Sequence, residues 1–278
     1  MISDITLGQY FPGRSVLHKM DPRMKVVIAI AYIVAVFLCQ HILTYGLLLL
    51  SCLSLLAVSG IPARTVMRSV RPILLVLVFT SLINLFWTEG EHLIGSWWIF
   101  TLYWEGVWRA LFMVVRVTVL VISVSLFLTY TTSPIQLTDA LESLLSPLKI
   151  IHLPVHEFAM MMTIALRFIP TLIEETERIM NAQKSRGSDF SSGSLFRRIR
   201  ALIPILVPLF ISAFQRAMDL ATAMECRCYR GGEGRTKLVK YTLRLRDWLM
   251  LFGVGVLITL ICLGNHFLPL WLNWGWGL

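Results

Sequence analysis

The sequence contains little charge for its length. Only 15% of the 278 residues are charged and 56% are hydrophobic, and the mean hydropathy is +0.73. Soluble domains carry about 25% charged residues and fewer apolar ones. Several apolar runs also approach the roughly 20 residues that a helix needs to cross a bilayer. The scarcity of charge therefore excludes a soluble protein and predicts an all-α integral membrane protein.

Signatures of catalysis and of metal or nucleotide binding are missing as well. An intramembrane enzyme needs paired acids, His-Glu motifs or a Ser/Lys pair within its spans, and the apolar runs contain none of these. Cys226 and Cys228 are close together but lack the second ligand pair of a structural zinc site. The glycine-rich segment 231–237 lacks the Gly-Lys-Ser/Thr order of a phosphate-binding loop. The sequence therefore predicts a non-enzymatic chain with no cofactor or metal of its own.

Positive charge is plentiful, with a net charge of +9, and apart from Arg109 and Arg116 it is confined to three segments. Of the 25 lysines and arginines, 4 precede residue 26, 3 lie in 60–71 and 16 lie in 131–247. Cytoplasmic loops of membrane proteins are enriched in these residues. The distribution predicts a cytoplasmic N-terminus and a C-terminus outside, and no nucleic-acid-binding motif accompanies it.

Charge and hydropathy together divide the chain into four parts. About five transmembrane helices are predicted, with a cytoplasmic region of three helices inserted before the last one. The predicted spans are 26–43, 45–58, 72–87, 107–130 and 248–268. The predicted parts are a cytoplasmic lead-in (1–25), four transmembrane helices (26–130), the cytoplasmic helical region (131–247), and the last span with an outer tail (248–278).

An alternative topology makes segments 158–173 and 201–214 membrane spans too. Each apolar segment is only 14 to 16 residues long and contains proline, and the first also carries Arg167. An arginine near the centre of a membrane helix costs roughly 2.5 to 3.5 kcal/mol on insertion scales. We therefore favour cytoplasmic or membrane-surface helices, and whether these segments dip into the membrane stays open.

The cytoplasmic region contains clear helix start and stop signals. Ser133 is a good N-cap, and Pro134 follows it at the first helical position. A second helix is predicted from Val155 to Ser185, closed by a glycine, and a third from Leu195 to Cys226. The last two helices each end in an X-Arg-X triplet, and the two arginines are 41 residues apart. The triplets are Ser185-Arg186-Gly187 and Cys226-Arg227-Cys228.

These segments closely resemble the transmembrane (T) component of energy-coupling-factor (ECF) transporters, which import vitamins and transition-metal ions into bacteria and archaea. The triplets resemble the most specific motifs of the family, and Leu166-Arg167-Phe168-Ile169-Pro170 resembles another. Thr132-Ser133-Pro134 is similar to the start of its first coupling helix. The lead-in, with Asp21-Pro22-Arg23-Met24-Lys25, is similar to its N-terminus. The resemblance covers nearly the whole chain.

The resemblance implies the partners and the location of the protein. Two ABC-type ATPase subunits would bind the coupling helices through the triplets, with Arg186 and Arg227 as the coupling arginines. ATP and Mg would be bound by those subunits, and a membrane S component would select the substrate. The expected location is the cell membrane of a bacterium or archaeon. The family's second triplet usually ends in glycine, so Cys228 is expected to leave the helix cap to Gly231 or Gly232.

Three further arginines and one proline are candidate contact residues. Arg109 and Arg116 lie seven residues apart on the fourth span, and Arg167 and Pro170 lie in the long second cytoplasmic helix. A charge within a span generally faces protein or water and marks a pathway or a partner. The equally open interpretation is a structural pairing inside the bundle. All four are therefore candidate contacts to the bundle or to the S component.

A second function class remains open. A membrane scaffold or regulator with soluble helices that bind a signalling protein would show the same composition. A stand-alone carrier is disfavoured because paired inverted repeats and acidic residues within the spans are missing. The transported substrate is not readable from this chain, since the S component chooses it in this family.

Overall fold

A computed structural model of the chain describes residues 10–13, 15–87, 92–97, 100–151, 154–188, 195–232 and 241–267. The regular secondary structure of the described residues is helical apart from one two-stranded hairpin, in agreement with the predicted helical membrane protein. The helices are α1 (Pro22–Leu38), α2 (Ile42–Ser59), α3 (Ala63–Val70), α4 (Leu74–Trp87), α5 (Trp104–Val124), α6 (Pro134–Leu145), α7 (Val155–Ser185), α8 (Leu195–Cys226) and α9 (Leu245–Phe267).

The chain forms two compact units. Described residues between 10 and 140, together with 241–267, belong to the first unit, and those between 141 and 232 belong to the second. The boundary falls inside α6, after Ala140. In the first unit α5 packs against α1, α2, α3 and α4, and α9 packs against α1 and α2.

The core of the first unit lies between α1, α2, α5 and α9. Tyr32, Leu48, Phe127 and Ile261 are among its fully buried side chains. The Tyr32 hydroxyl lies 2.8 Å from Ser51 Oγ, which satisfies a polar group within this apolar core. The bundle therefore depends on close packing across four of the predicted spans.

Segment 60–71, predicted as a loop, is largely helical. Gly60 takes a left-handed conformation (φ 67°) and ends α2, and α3 begins three residues later, at Ala63. The arginines of α3 are exposed on one side, whereas Val66 and Val70 are buried on the other. The helix is amphipathic, and a search for long apolar runs passes over such a segment because arginines interrupt it.

The aromatic-rich segment before α5 contains an antiparallel hairpin that was not predicted. Its strands are β1 (Leu93–Trp97) and β2 (Phe100–Tyr103), with Leu93 paired to Tyr103. An ion pair between His92 Nδ1 and Glu105 Oε1, at 3.0 Å, lies beside the hairpin. The hairpin leads directly into α5.

Six of the described helical segments are long and apolar enough to cross a membrane, and α7 and α8 are among them. The expectation that segments 158–173 and 201–214 are too short to be membrane spans is therefore wrong. Their prolines lie inside unbroken helices of 31 and 32 residues. A proline removes one ladder hydrogen bond, but local adjustment and the bonds on either side let a long helix continue through it.

Candidate functional site

Helices α7 and α8 pack against each other. Arg216 Nη2 of α8 donates to Glu175 Oε2 of α7 at 3.2 Å, about two-thirds of the way along each helix. Beyond α8, Gly232 lies against the start of α7, because a Cβ added there would come within 2.6 Å of the His156 ring. His156 Nδ1 is in turn 3.1 Å from Glu142 Oε1. The segment that follows α8 is therefore close to the beginning of α7, and together with the Glu175–Arg216 contact this indicates that the two helices run antiparallel.

Helix α7 ends in a Schellman motif centred on the first X-Arg-X triplet. Arg186 is the C-cap residue, and Gly187 follows with a left-handed φ of 87°. The Gly187 N–H donates to the Lys184 carbonyl at 2.9 Å, and the Ser188 N–H donates to the Gln183 carbonyl at 3.0 Å. These two bonds define the motif and satisfy carbonyls that the helix leaves open.

Helix α8 ends in the same motif, centred on the second triplet. Arg227 directly follows the last helical residue, Cys226. The Cys228 N–H donates to the Glu225 carbonyl at 2.8 Å, and the Tyr229 N–H donates to the Met224 carbonyl at 3.0 Å. Arg186 and Arg227 therefore occupy equivalent backbone positions in two equivalent caps.

The expectation that Gly231 or Gly232 caps α8 is wrong. Cys228 itself takes the left-handed position, with φ 54°, and no other described non-glycine residue has a positive φ. The hydrogen bonds of the cap form in spite of the steric cost of this conformation, which is roughly 1–2 kcal/mol for a residue with a Cβ. Gly231 is also left-handed, at φ 87°, but it lies in the segment beyond the cap.

Replacing Cys228 by glycine is expected to raise stability. Glycine adopts φ 54° without the Cβ clash, so Cys228→Gly should stabilise the folded state by about 0.5–1 kcal/mol after its greater freedom in the unfolded chain is counted. Thermal unfolding of the detergent-purified protein measures the shift. The matched control is Gly187→Ala, which places a Cβ at φ 87° in the other cap and should lower the midpoint. A lower midpoint for Cys228→Gly would contradict the cap assignment.

The antiparallel packing places the two arginine caps at opposite ends of the helix pair. Arg186 lies eleven residues after Glu175, and Arg227 lies eleven residues after Arg216. At 1.5 Å per residue, the two caps are separated by roughly 30 Å along the pair. The ion pair between Glu175 and Arg216 is thus equally distant from both caps.

Both triplets are exposed to the surroundings. All six residues of the two triplets are exposed. Within the part of the chain that the structure describes, neither Arg186 nor Arg227 forms an ion pair. An arginine at a helix C-terminus interacts favourably with the helix dipole, worth roughly 0.3–1 kcal/mol. Its five N–H donors otherwise remain available to carbonyl or carboxylate groups of another molecule.

Comparison with known proteins decides the family. The model of the CbiQ family, described as a cobalt transport protein, matches residues 13–238. The energy-coupling factor transporter transmembrane protein EcfT of Ruminiclostridium cellulolyticum is 49% identical over 266 residues, covering 96% of this chain and 99% of that protein. EcfT of Acidaminococcus fermentans is 47% identical over 276 residues, covering 99% of both chains.

The chain belongs to the CbiQ/EcfT family of ECF transporter T components. It is a multi-pass membrane protein and a transporter subunit. EcfT of Lactobacillus helveticus is also 47% identical, over 237 residues that make up 85% of each chain. The resemblance noted from the triplets is thereby confirmed.

Within this T component, Arg116 has a structural partner. Its Nη2 donates to the Cys39 carbonyl at 2.9 Å, just beyond the end of α1, and its Cζ lies 5.6 Å from the centre of the Tyr45 ring. These contacts join α5 to the connection between α1 and α2. They match the interpretation of a structural pairing inside the bundle. Arg109, which lies seven residues before Arg116 on α5, is half-buried.

The other two candidate contacts of the T component lie on α7. Arg167 and Pro170 are both exposed, and the helix continues through Pro170. The structure therefore leaves both side chains available to a partner. Arg109 and Arg116 belong to the first unit, whereas Arg167 and Pro170 belong to the second.

Sequence reasoning missed two features of this site. The antiparallel pairing, which separates the arginines, depends on contacts between residues 41 positions apart, such as Glu175 and Arg216. The cap formed by Cys228 was overlooked because a left-handed cysteine is uncommon. Glu175 and Arg216 each lie eleven residues before the arginine of a triplet, and this equal spacing is the one signal in the sequence that indicates their contact.

Proposed function

We propose that this T component transmits ATP-driven movement of two ATPase subunits to a substrate-binding S component, for uptake of a vitamin or a transition-metal ion. The observation that carries the proposal is the pair of equivalent, exposed arginine caps at opposite ends of one antiparallel helix pair. ATP and Mg are bound by the ATPase subunits in this proposal, and the chain itself holds no cofactor.

Two separated, equivalent caps fit a partner with two equivalent binding sites. A guanidinium presents its donors in a fixed fork and can bind carboxylates of a partner with two parallel hydrogen bonds. In a dimer of ATPases each subunit can hold one cap, and a separation of roughly 30 Å keeps the two sites apart. Closure of the dimer on ATP then moves both caps. The six triplet residues, Ser185 to Gly187 and Cys226 to Cys228, form the proposed ATPase-binding site.

The distribution of lysine and arginine supports a cytoplasmic position for the caps. The segment 131–247 contains 16 of the 25 basic residues, and membrane proteins keep such segments in the cytoplasm. We place the N-terminus in the cytoplasm, the C-terminus outside, and α1, α2, α4, α5 and α9 across the membrane. The protein then resides in the cell membrane, with the three helices of the coupling domain reaching the ATPases.

Exposed apolar side chains on α7 and α8 support an apolar partner or lipid along the helix pair. Phe210 and Phe214 on α8 are 71% and 60% exposed, and Phe158 on α7 is 55% exposed. Exposed apolar patches of this kind mark interaction surfaces. We propose that the S component contacts this surface, with Arg167 and Pro170 among the contact residues, and that Arg109 lies at the bundle or at the S component.

Reconstitution tests the proposed function. Liposomes that contain the chain alone are expected to show neither ATP hydrolysis nor uptake. Liposomes that also contain the ATPase pair and S component co-purified from the native membrane should take up substrate only with ATP. Uptake by the chain alone would contradict the proposal. Capture of a signalling protein in place of ATPases would favour the scaffold or regulator function instead.

A further inference from the structure

A buried polar cluster joins three segments of the first unit. Its members come from the start of α1, from the junction before α6 and from the start of α9. They are Asp21, Lys25, Thr131, Thr132 and Asp247, whose exposed fractions are 5%, 0%, 1%, 4% and 2%. Two of the sequence motifs noted above, Asp21 to Lys25 and Thr132 to Pro134, meet here.

Lys25 connects α1 to the junction before α6. Its Nζ donates to the Thr131 carbonyl at 2.7 Å and lies 3.3 Å from Thr132 Oγ1. The carboxylates of Asp247 and Asp21, which belong to the same buried cluster, offset part of the cost of removing its ammonium from water. A fully buried lysine is rare and is costly unless charges of opposite sign offset it.

The two aspartates connect α1 to α9. Asp247 Oδ1 accepts from the Asp21 N–H at 3.3 Å, and its Oδ2 accepts from the Arg244 N–H at 2.9 Å. Asp21 Oδ1 caps α1 by accepting from the Arg23 N–H at 2.9 Å. Each carboxylate therefore accepts a hydrogen bond from a backbone N–H at the start of a helix.

The backbone between α5 and α6 is irregular at the point that Lys25 holds. The last residues of α5 pass into a π-helical turn, Ser125–Thr129, in which the hydrogen-bond ladder shifts by one residue. The Phe127 carbonyl accepts from Thr131 Oγ1 at 2.9 Å and from Thr132 Oγ1 at 3.2 Å. Ser133 then caps α6 reciprocally with Gln136. The direction of α6 is thus set by side-chain bonds at this junction.

A second contact holds α6 one turn further along. The Tyr241 hydroxyl, from the segment before α9, donates to Asp139 Oδ2 at 3.4 Å. Arg23 Cζ lies 5.9 Å from the Tyr241 ring centre. Burial and the Asp139 carboxylate raise the pKa of Tyr241, so its hydroxyl remains a donor at neutral pH.

Stability alone does not explain a charged cluster at this place. Apolar residues of similar volume often stabilise a buried site as well as an ion cluster does. What hydrogen bonds and charges add is a defined orientation of the segments that they join. In this cluster the joined segments are two bundle helices and the first helix of the coupling domain.

We propose that Lys25 is a positioning residue for energy coupling, which fixes the start of α6 to α1 and α9 so that movement of α6 reaches the bundle. This inference rests on the proposed function. It assigns to the Asp21–Lys25 motif a role in transmission, separate from the binding of ATPases by the two triplets.

The test compares three variants in liposomes with the co-purified ATPase pair and S component. Lys25→Met leaves two buried carboxylates without their counter-charge. The double variant Lys25→Met with Asp247→Asn removes one positive and one negative charge, so the net charge of the cluster is unchanged. It lacks the ammonium and its two hydrogen bonds. Lys19→Met, an exposed lysine of the same lead-in, is the control. The measurements are thermal stability, co-purification of ATPases, and substrate taken up per ATP hydrolysed.

We expect Lys25→Met to lose stability and the double variant to recover it and to co-purify the ATPases. Uptake per ATP in the double variant should nevertheless fall at least about fivefold, the lower end of usual coupling free energies. Recovery of both stability and uptake per ATP would overturn the proposal. If the double variant does not assemble, Thr132→Val decides, because it removes the hydrogen bond to Lys25 without burying a charge, while the Phe127 carbonyl, which also loses its bond from Thr132, keeps the one from Thr131.

Uptake per ATP in assembled Thr132→Val should fall at least about twofold, and an unchanged ratio would overturn the proposal. Failure of the proposed function gives a different result from failure of this inference. It shows in the unmodified chain, which would then not take up substrate with ATPases and S component present.

Discussion

Charge reversal of both cap arginines, Arg186→Glu with Arg227→Glu, is expected to reduce ATP-driven uptake to background. Each substitution replaces a bidentate donor by a carboxylate that repels an acidic partner site. Removing one partner of a buried, hydrogen-bonded charge pair costs about 2–5 kcal/mol of binding free energy. Because the double variant loses this amount at two sites, we expect it to bind the ATPases too weakly for a stable complex. Co-purification of ATPases and uptake by proteoliposomes measure the effect. Membrane insertion should be unaffected because both side chains are exposed.

The matched control reverses two neighbouring arginines that do not form the caps. Arg178 lies on α7 and Arg230 follows α8, and both are exposed. Arg178→Glu with Arg230→Glu changes the net charge by the same amount, so a general electrostatic effect would appear equally in both double variants. Each single cap variant should retain one bound end and show an intermediate loss. Normal uptake by the double cap variant would contradict the proposed function.

Truncation of Arg116 to alanine is expected to destabilise the bundle without uncoupling transport. The change removes the hydrogen bond to the Cys39 carbonyl and the contact with the Tyr45 ring. A carbonyl left unsatisfied costs about 1–3 kcal/mol, and the cavity adds to this. We therefore expect a loss of about 2–4 kcal/mol, measured by thermal unfolding in detergent.

Arg116→Gln serves as the comparison, since its amide can still donate to the same carbonyl. It should recover part of the stability, and uptake per folded molecule should equal that of the unmodified chain for both variants. Loss of uptake in a well-folded Arg116→Gln protein would instead assign Arg116 to a pathway or partner contact.

Local signals predicted the ends of α7 and α8 well. Pro154 and Gly187 flank α7, and the predicted bounds of α7 and α8 agree with the structure. Caps and proline act within one or two turns, so the sequence near a helix end contains the information that decides it. The resemblance to T components drew on the same residues and is confirmed by the relatives.

Features that depend on contacts between distant residues were not predictable in the same way. Lys25 was counted among the basic residues of a cytoplasmic lead-in, yet it is fully buried against Thr131, 106 residues away. Only the folded bundle places the Asp247 carboxylate against the Asp21 N–H, four residues before Lys25. The role of proline in α7 and α8 was misjudged for a related reason, because the whole helix determines whether one missing bond ends it.

The ion pair between Glu175 and Arg216 has a mechanical consequence. Since it lies eleven residues from each cap, rotation about this point swings both tips through arcs of equal radius in opposite senses. Two equal forces that act on the caps in opposite directions, across the helix pair, would then exert a pure torque, and the ion pair would receive no net force.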